Sequence, residues 1–377
     1  MRFLAGKGLV SGAKALAGLF GVLLAGAVVW DLATQPPMEP ASATIQLVDA
    51  AGVCNGQSPC FTTIQSAITA ASAGDVILVF PGVYVENVNV NKALTLASIE
   101  GAEDTTIQAA TSANNANAVN IVTNNVRFGV PELGFTVIGG QFGIGTNTGT
   151  LGVFIASNEV HGYLTIGIAF GSSQGAIEDN EIVGPNQAVT SGIYLSIGAS
   201  HVVIRDNEIA NNRNGIIAVE GNNAGILITD NEIVNTRRAI RIQPGLNTAG
   251  NFFRNSEISE NKIEAGDGPG IVIQETGGGV VDHLVISDNE VKSRSAADTS
   301  FGAATGDGIY VEGDHNVVND NEVSLNAGDG IQVVGNHNSV LNNEDEDNGG
   351  CGIKASGTGN FFAGNEAEGN ADDAIPC

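Results

Sequence analysis

Two things are scarce in this chain of 377 residues: aromatic rings, at 5% of the sequence, and positive charge, with 15 Lys plus Arg set against 41 Asp plus Glu. So few rings exclude a core built around large aromatics and leave Ile, Val, Leu and Ala to fill the interior, which favours repetitive β architecture. The shortage of cations excludes a nucleic-acid partner, because phosphate binding needs a basic face. It also counts against polyanionic glycans unless a divalent cation bridges them, although an acidic surface equally serves solubility. Cysteine is sparse as well. The four fall as Cys54, Cys60, Cys351 and Cys377. An even number in an exported chain points to disulfides, and the local pairings are expected: Cys54 with Cys60, and Cys351 with Cys377.

The N-terminus carries Arg2, Lys7 and Lys14 ahead of an apolar run from Ala15 to Trp30. A basic lead and a short apolar stretch read as a signal peptide or signal anchor within residues 1–43, with Ala41-Ser42-Ala43 as a cleavage motif. The expected location is extracellular, periplasmic or at the cell surface, with membrane contact only through this segment. Cleavage there would remove Arg2, Lys7, Lys14, Asp31 and Glu39, moving the net charge from −26 to −27.

What the chain has in abundance is a repeat. From residue 158 the phrase Asn-Glu-Ile/Val returns at Asn158, Asn180, Asn207, Asn231, Asn261, Asn289 and Asn321, with degenerate copies at Asn343 and Asn365. A small residue followed by Ile keeps step with it, from Gly167-Ile168 to Gly352-Ile353. A short apolar alternation such as His201-Val202-Val203-Ile204 precedes each Asn. Three short strands per repeat, with insertions confined to two of the junctions, describe a coiled solenoid. Coils rise by about 4.8 Å, so equivalent residues stack. Ile193/Leu195, Ile240/Ile242, Ile309/Val311 and Ile331/Val333 should face inward, and the repeated Asn should form an inward hydrogen-bonded ladder. About ten coils are expected over residues 44–377. An amphipathic helix over residues 61–73 should plug the first one, capped by Thr62 or Thr63 and ended by Gly74.

The stretches Ile64-Gln65-Ser66-Ala67-Ile68, Gly74-Asp75-Val76-Ile77-Leu78-Val79, Pro81-Gly82-Val83-Tyr84 and Lys92-Ala93-Leu94-Thr95-Leu96 resemble the opening segment of pectin-lyase-like β-helix proteins, and Gly134-Phe135-Thr136-Val137 is similar to a recurrent coil phrase. The resemblance implies an all-β right-handed parallel β-helix with an N-terminal capping helix. It implies no single function, because that superfamily includes lyases, glycosidases, epimerases, adhesins and non-catalytic surface proteins.

By the same resemblance the Gly-Ile strand lines the groove. Its outward positions form a row, Tyr194, Ile217, Arg241, Val272, Tyr310, Gln332 and Lys354, in which Tyr194, Arg241, Tyr310, Gln332 and Lys354 suit sugar rings. Exposed strand positions tolerate such residues anyway. The longest turns, 292–307, 243–251 and 274–282, border this row and mark it as the functional level. Lyase chemistry on a uronate would use Arg241 as base, with Asp267 and Asp307 holding Ca²⁺. The hydrolase phrases Asn-Thr-Asp and Gly-His-Gly are missing, although Asp307 and Asp329 stack in adjacent coils as paired carboxylates or as simple Asp-Gly turns. His283, His315 and His337 each lie six residues before a repeat Asn and should stack, either as a metal row or as turn residues. Glu159, Glu181, Glu208, Glu232, Glu290, Glu322, Glu344 and Glu366, interrupted by Lys262, should form an outward acidic column that weak Ca²⁺ binding would relieve. The expectation is an exported, non-catalytic β-helix that binds a polysaccharide or scaffolds an envelope, with a Ca²⁺-assisted lyase or epimerase as the alternative.

Overall fold

The computed structural model describes residues 43–112, 116–185, 190–219, 221–245, 250–296 and 306–377. The N-terminal apolar run and Ala41-Ser42-Ala43 lie outside these, apart from Ala43, as do parts of the turns 243–251 and 292–307. The chain winds through three parallel sheets, called here sheets 1, 2 and 3, of 15, 12 and 11 strands. Each coil contributes one strand to each: Val203–Arg205 to sheet 1, Glu208–Ala210 to sheet 2 and Asn214–Ala218 to sheet 3 in one typical turn. The expected count of about ten coils agrees with the 11 strands of sheet 3.

The junction from sheet 1 to sheet 2 has constant length for a local reason. The residue before each repeat Asn takes a left-handed backbone conformation, at Asp179, Asp206, Asp230, Asp288, Asp320 and Asn342, with φ between 51° and 57°. Asp and Asn tolerate that region because their short side chains bond nearby backbone groups. The Asn that follows turns inward. Asn180 Nδ2 donates to Ile155 O at 3.1 Å and to Asn207 Oδ1 at 3.0 Å, and Asn207, Asn231, Asn261, Asn289 and Asn321 repeat the pattern. A buried amide left unpaired costs about 1–3 kcal/mol, so the ladder satisfies a bend that apolar packing alone would leave wanting.

The core is one continuous stack of Ile, Val, Leu, Ala and a few Phe, and all four expected inward pairs are fully buried in it. At the front, the helix occupies Ile64–Ala70, shorter than the expected 61–73. Thr63 is the N-cap, its hydroxyl accepting from Ser66 N. Gly74 does not end the helix: Ala71, in extended conformation, does so, because Lys92 Nζ donates to Thr69 O and Ala71 O and satisfies the free carbonyls there. Both local disulfides form, Cys54 with Cys60 and Cys351 with Cys377. Among the described residues no helix is long and apolar enough to cross a membrane.

Candidate functional site

The outward column on sheet 3 has the register expected from the repeat. Tyr194 pairs with Ile217, and the line continues through Arg241, Val272, Tyr310, Gln332 and Lys354. It extends the other way through Ala169 and Gly145 to Asn120 and Asn89. Its accessibility departs from expectation. Val272, Tyr310 and Gln332 are only 0%, 6% and 7% exposed, and Ile217 is buried as well. Val272 and Tyr310 pack together with Val334 as a small apolar cluster outside the main core, so this stretch of the column is covered rather than open. Tyr194, Arg241 and Lys354 are half-buried. Burial and the nearby Glu312 and Asp307 push the Tyr310 hydroxyl up to about 12.

The turns that flank this stretch pack on one another. Thr276 Oγ1 donates to Pro244 O at 3.3 Å, linking the two turns that leave sheet 3. Beneath them Arg241 Nε donates to Gln243 Oε1 at 2.7 Å, and Gln243 Nε2 donates to Gln274 Oε1 at 2.6 Å. Glu275 accepts from Val281 N, and both Glu275 and Glu312 are held above the usual carboxylate range, by burial first and then by nearby charge, from Asp314 and Asp282 on Glu275 and from Glu275 on Glu312.

Asp307 and Asp329 do come together. Asp307 Oδ1 accepts from Asp329 N at 2.9 Å, and Asp329 Oδ1 accepts from Cys351 N at 2.8 Å, so each carboxylate braces the turn of the next coil. Lys354 Nζ donates to Asp329 Oδ2 at 2.8 Å. Asp307 is 1% exposed and its Oδ2 has no partner. Burial, reinforced by the Asp329 charge, raises it to about 7, so it shares a proton at neutral pH beside an ion-paired neighbour. Asp267 is exposed and takes a long 3.5 Å bond from Ser295, whereas Asp307 is buried. Among the described residues the one convergent group of metal-ligand atoms is Cys351, Asp372 and Cys377, and its two thiols are spent in the disulfide.

His283, His315 and His337 stack as expected, with ring centroids 5.6 and 5.2 Å apart and planes tilted by 10° and 8°. Parallel rings aim their nitrogens side by side rather than at one point, and all three sit at φ between 56° and 58°, so the arrangement is that of a turn column. The acidic column also falls into line, from Glu159 through Glu181, Glu208 and Glu232 across Lys262 to Glu290, Glu322, Glu344 and Glu366. Burial and then the charges of Glu159 and Glu208 raise the pKa of Glu181.

Three features were not foreseen. A shallow recess on sheet 3 is lined by the amides Asn87, Asn89, Asn117 and Asn120, with Asn120 Nδ2 bonded to Asn89 Oδ1. Arg294 is buried, and its guanidinium donates to the carbonyls of Thr236, Arg237, Ala265, Gly268 and Pro269, holding the insertions together. Asp345 stands inside the core. The last was visible in the sequence as Asn-Glu-Asp where other copies read Asn-Glu-Ile/Val.

The sequence matches a family model described as "Right handed beta helix region" over residues 142–304 and 295–377, which is most of the chain. The chain belongs to the right-handed β-helix family. No curated protein matches this β-helix protein by sequence. Its fold is similar to the crystal structure of the Dettilon tailspike protein, at a TM-score of 0.61 and 15% identity over 82% of this chain; the match spans 65% of the tailspike, somewhat under two thirds. It is similar to the catalytic domain of an α-1,3-glucanase in complex with tetrasaccharides (TM-score 0.55, 15% identity, 90% of this chain and 67% of the other). A polygalacturonase from Erwinia carotovora ssp. carotovora gives a TM-score of 0.53 at 13% identity, over 87% of this chain and 97% of the enzyme. At such identities the likeness is one of fold.

Proposed function

We propose that this β-helix protein is exported and binds a polysaccharide along the outer face of sheet 3 without cleaving it. The observation that carries the reading is the in-register column on sheet 3, where Asn89, Asn120, Tyr194, Arg241 and Lys354 keep exposed or half-buried polar and aromatic groups on either side of the covered stretch. Amides, a guanidinium and a phenol offer both flat faces and hydrogen bonds, which sugar rings need, and a rigid sheet spaces them at about 4.8 Å per coil. The two disulfides support an oxidising compartment. Glycan-array binding by the full chain is the test. Tyr194→Ala and Arg241→Ala should each weaken the best ligand about tenfold, equivalent to about 1.4 kcal/mol. Absence of any glycan ligand, or unchanged affinity in both variants, overturns the reading.

A second reading, acid–base chemistry on a glycan, is favoured by Asp307, whose carboxyl is raised by burial to about 7 beside Asp329, which is paired with Lys354. Incubation with uronate and neutral polysaccharides, with and without Ca²⁺, separates the two. The binding reading expects no new reducing ends and no unsaturated product. Turnover that is lost in Asp307→Asn would establish the enzyme instead.

A further inference from the structure

On sheet 2 the inward position is Ile or Val in coil after coil: Val160, Ile182, Ile209, Ile233, Ile263, Val291 and Val323, each buried. The next residue in that line is Asp345, in register with Val323 on one side and Ala367 on the other. Its carboxyl is fully buried, and neither oxygen has a hydrogen-bond partner. Asp345 takes the inward place that Val323 fills one coil earlier. A Cβ added at Gly308 would meet Val323 Cγ1 at 2.2 Å, and one added at Gly330 would meet Asp345 Oδ1 at 2.3 Å. The position puts a carboxyl where the other coils place an apolar side chain.

No group facing Asp345 compensates a charge. Val323 and Ala367 flank it, Gly330 and the Asn348 amide lie beside it, and that amide is committed to Val323 O and Asn370 Oδ1. Glu322, Glu344, Glu346, Glu366 and Glu368 on the same three strands are exposed, hence on the outer face, as is Asp347 in the following turn. Asp329 is tied to Lys354 and Cys351 N. Burial alone therefore acts on Asp345 and raises it to about 9.

We propose that Asp345 is a proton-dependent latch on the last two coils: protonated, it seats as valine would, and ionised, it unseats the strands Glu344–Glu346 and Glu366–Glu368 with their coil neighbours, while Cys351–Cys377 keeps the loosened end joined. The unfolded carboxyl titrates near 4 and the folded one near 9. Between these values the folded state holds the extra proton, so stability of the end coils falls as pH rises and levels off above about 9. Coils near an end are the natural place for such a device, because the outermost one is stacked upon from one side only and the pair opens at lower cost than the middle.

The experiment is hydrogen exchange by mass spectrometry on the full chain at pH 6 and pH 9.5, corrected for the intrinsic base-catalysed rate. Protection over residues 339–377 should fall by about tenfold or more, while residues 144–245 change little. Asp345→Val should abolish the fall, and Asp345→Asn, uncharged at both pH values, should be equally flat at lower protection. A wild-type end that loses no more protection than the middle overturns the latch, as does a drop that persists in Asp345→Val or Asp345→Asn. The wild-type comparison decides the first point even if a variant fails to fold.

Discussion

The solenoid closes its N-terminal end with a helix whose own ends are satisfied, and its C-terminal end with a covalent bond over an imperfect core. At the front, Ile64, Ala67 and Ile68 enter the apolar stack. Glu86 accepts from Ile64 N and Gln65 N at 2.8 and 2.9 Å, placing an anion at the helix N-terminus, and Lys92 places a cation at the other end. At the back, Phe361 is exposed, Phe362 is only partly buried against the core, and Asp345 sits one coil inside without a partner. Three Asn ladders tighten these last coils. Besides the repeat Asn, Asn326 bonds Asn348, which bonds Asn370, and Asn316 bonds Asn338, which bonds Asn360. The contrast teaches that regularity and stability are separate properties. The C-terminal coils are the most regular in spacing, yet their last strand leaves Phe361 exposed.

That contrast can be tested from its strongest element downward. Ile68→Ala empties a fully buried position under the first coil and should cost about 2–5 kcal/mol of unfolding free energy in denaturant titration. Replacing Cys351 and Cys377 together by Ser removes a 26-residue closure. It should cost about 3 kcal/mol, and protease cleavage should begin at the C-terminal coils while the helix-capped end persists. If cleavage begins at the front instead, the ranking of the two ends is reversed. Asn231→Ala, in the middle of the ladder, should cost about 1–3 kcal/mol by orphaning the Asn207 N–H and the Ile204 carbonyl of the preceding coil. The smallest effect, about 0.5–2 kcal/mol, is expected from Thr63→Ala at the helix cap.

Much of the fold was legible because the repeat is itself a physical signal. A polar residue recurring at one place in each coil has to be satisfied by its own copies, and Asn158 to Asn365 are. The local disulfides and the stacked histidines followed from the same arithmetic of one coil per repeat. The helix was placed correctly but drawn too long, because its C-terminus is set by Lys92, 21 residues away from Ala71, rather than by the nearest glycine. Gly74 supplies a positive φ of 94° in the turn beyond.

The sequence by itself determined which residues share a column, since a parallel stack of coils turns spacing directly into neighbourhood. It could not determine which columns are covered. Tyr310 and Gln332 occupy outward positions and are nonetheless buried, Asp307 is buried while Asp267 is exposed, and Asp345 lies in the core without a hydrogen-bond partner. Register is a one-dimensional property that the repeat carries in full. Burial depends on how insertions from separate coils fold over one face, and only the tertiary structure decides that.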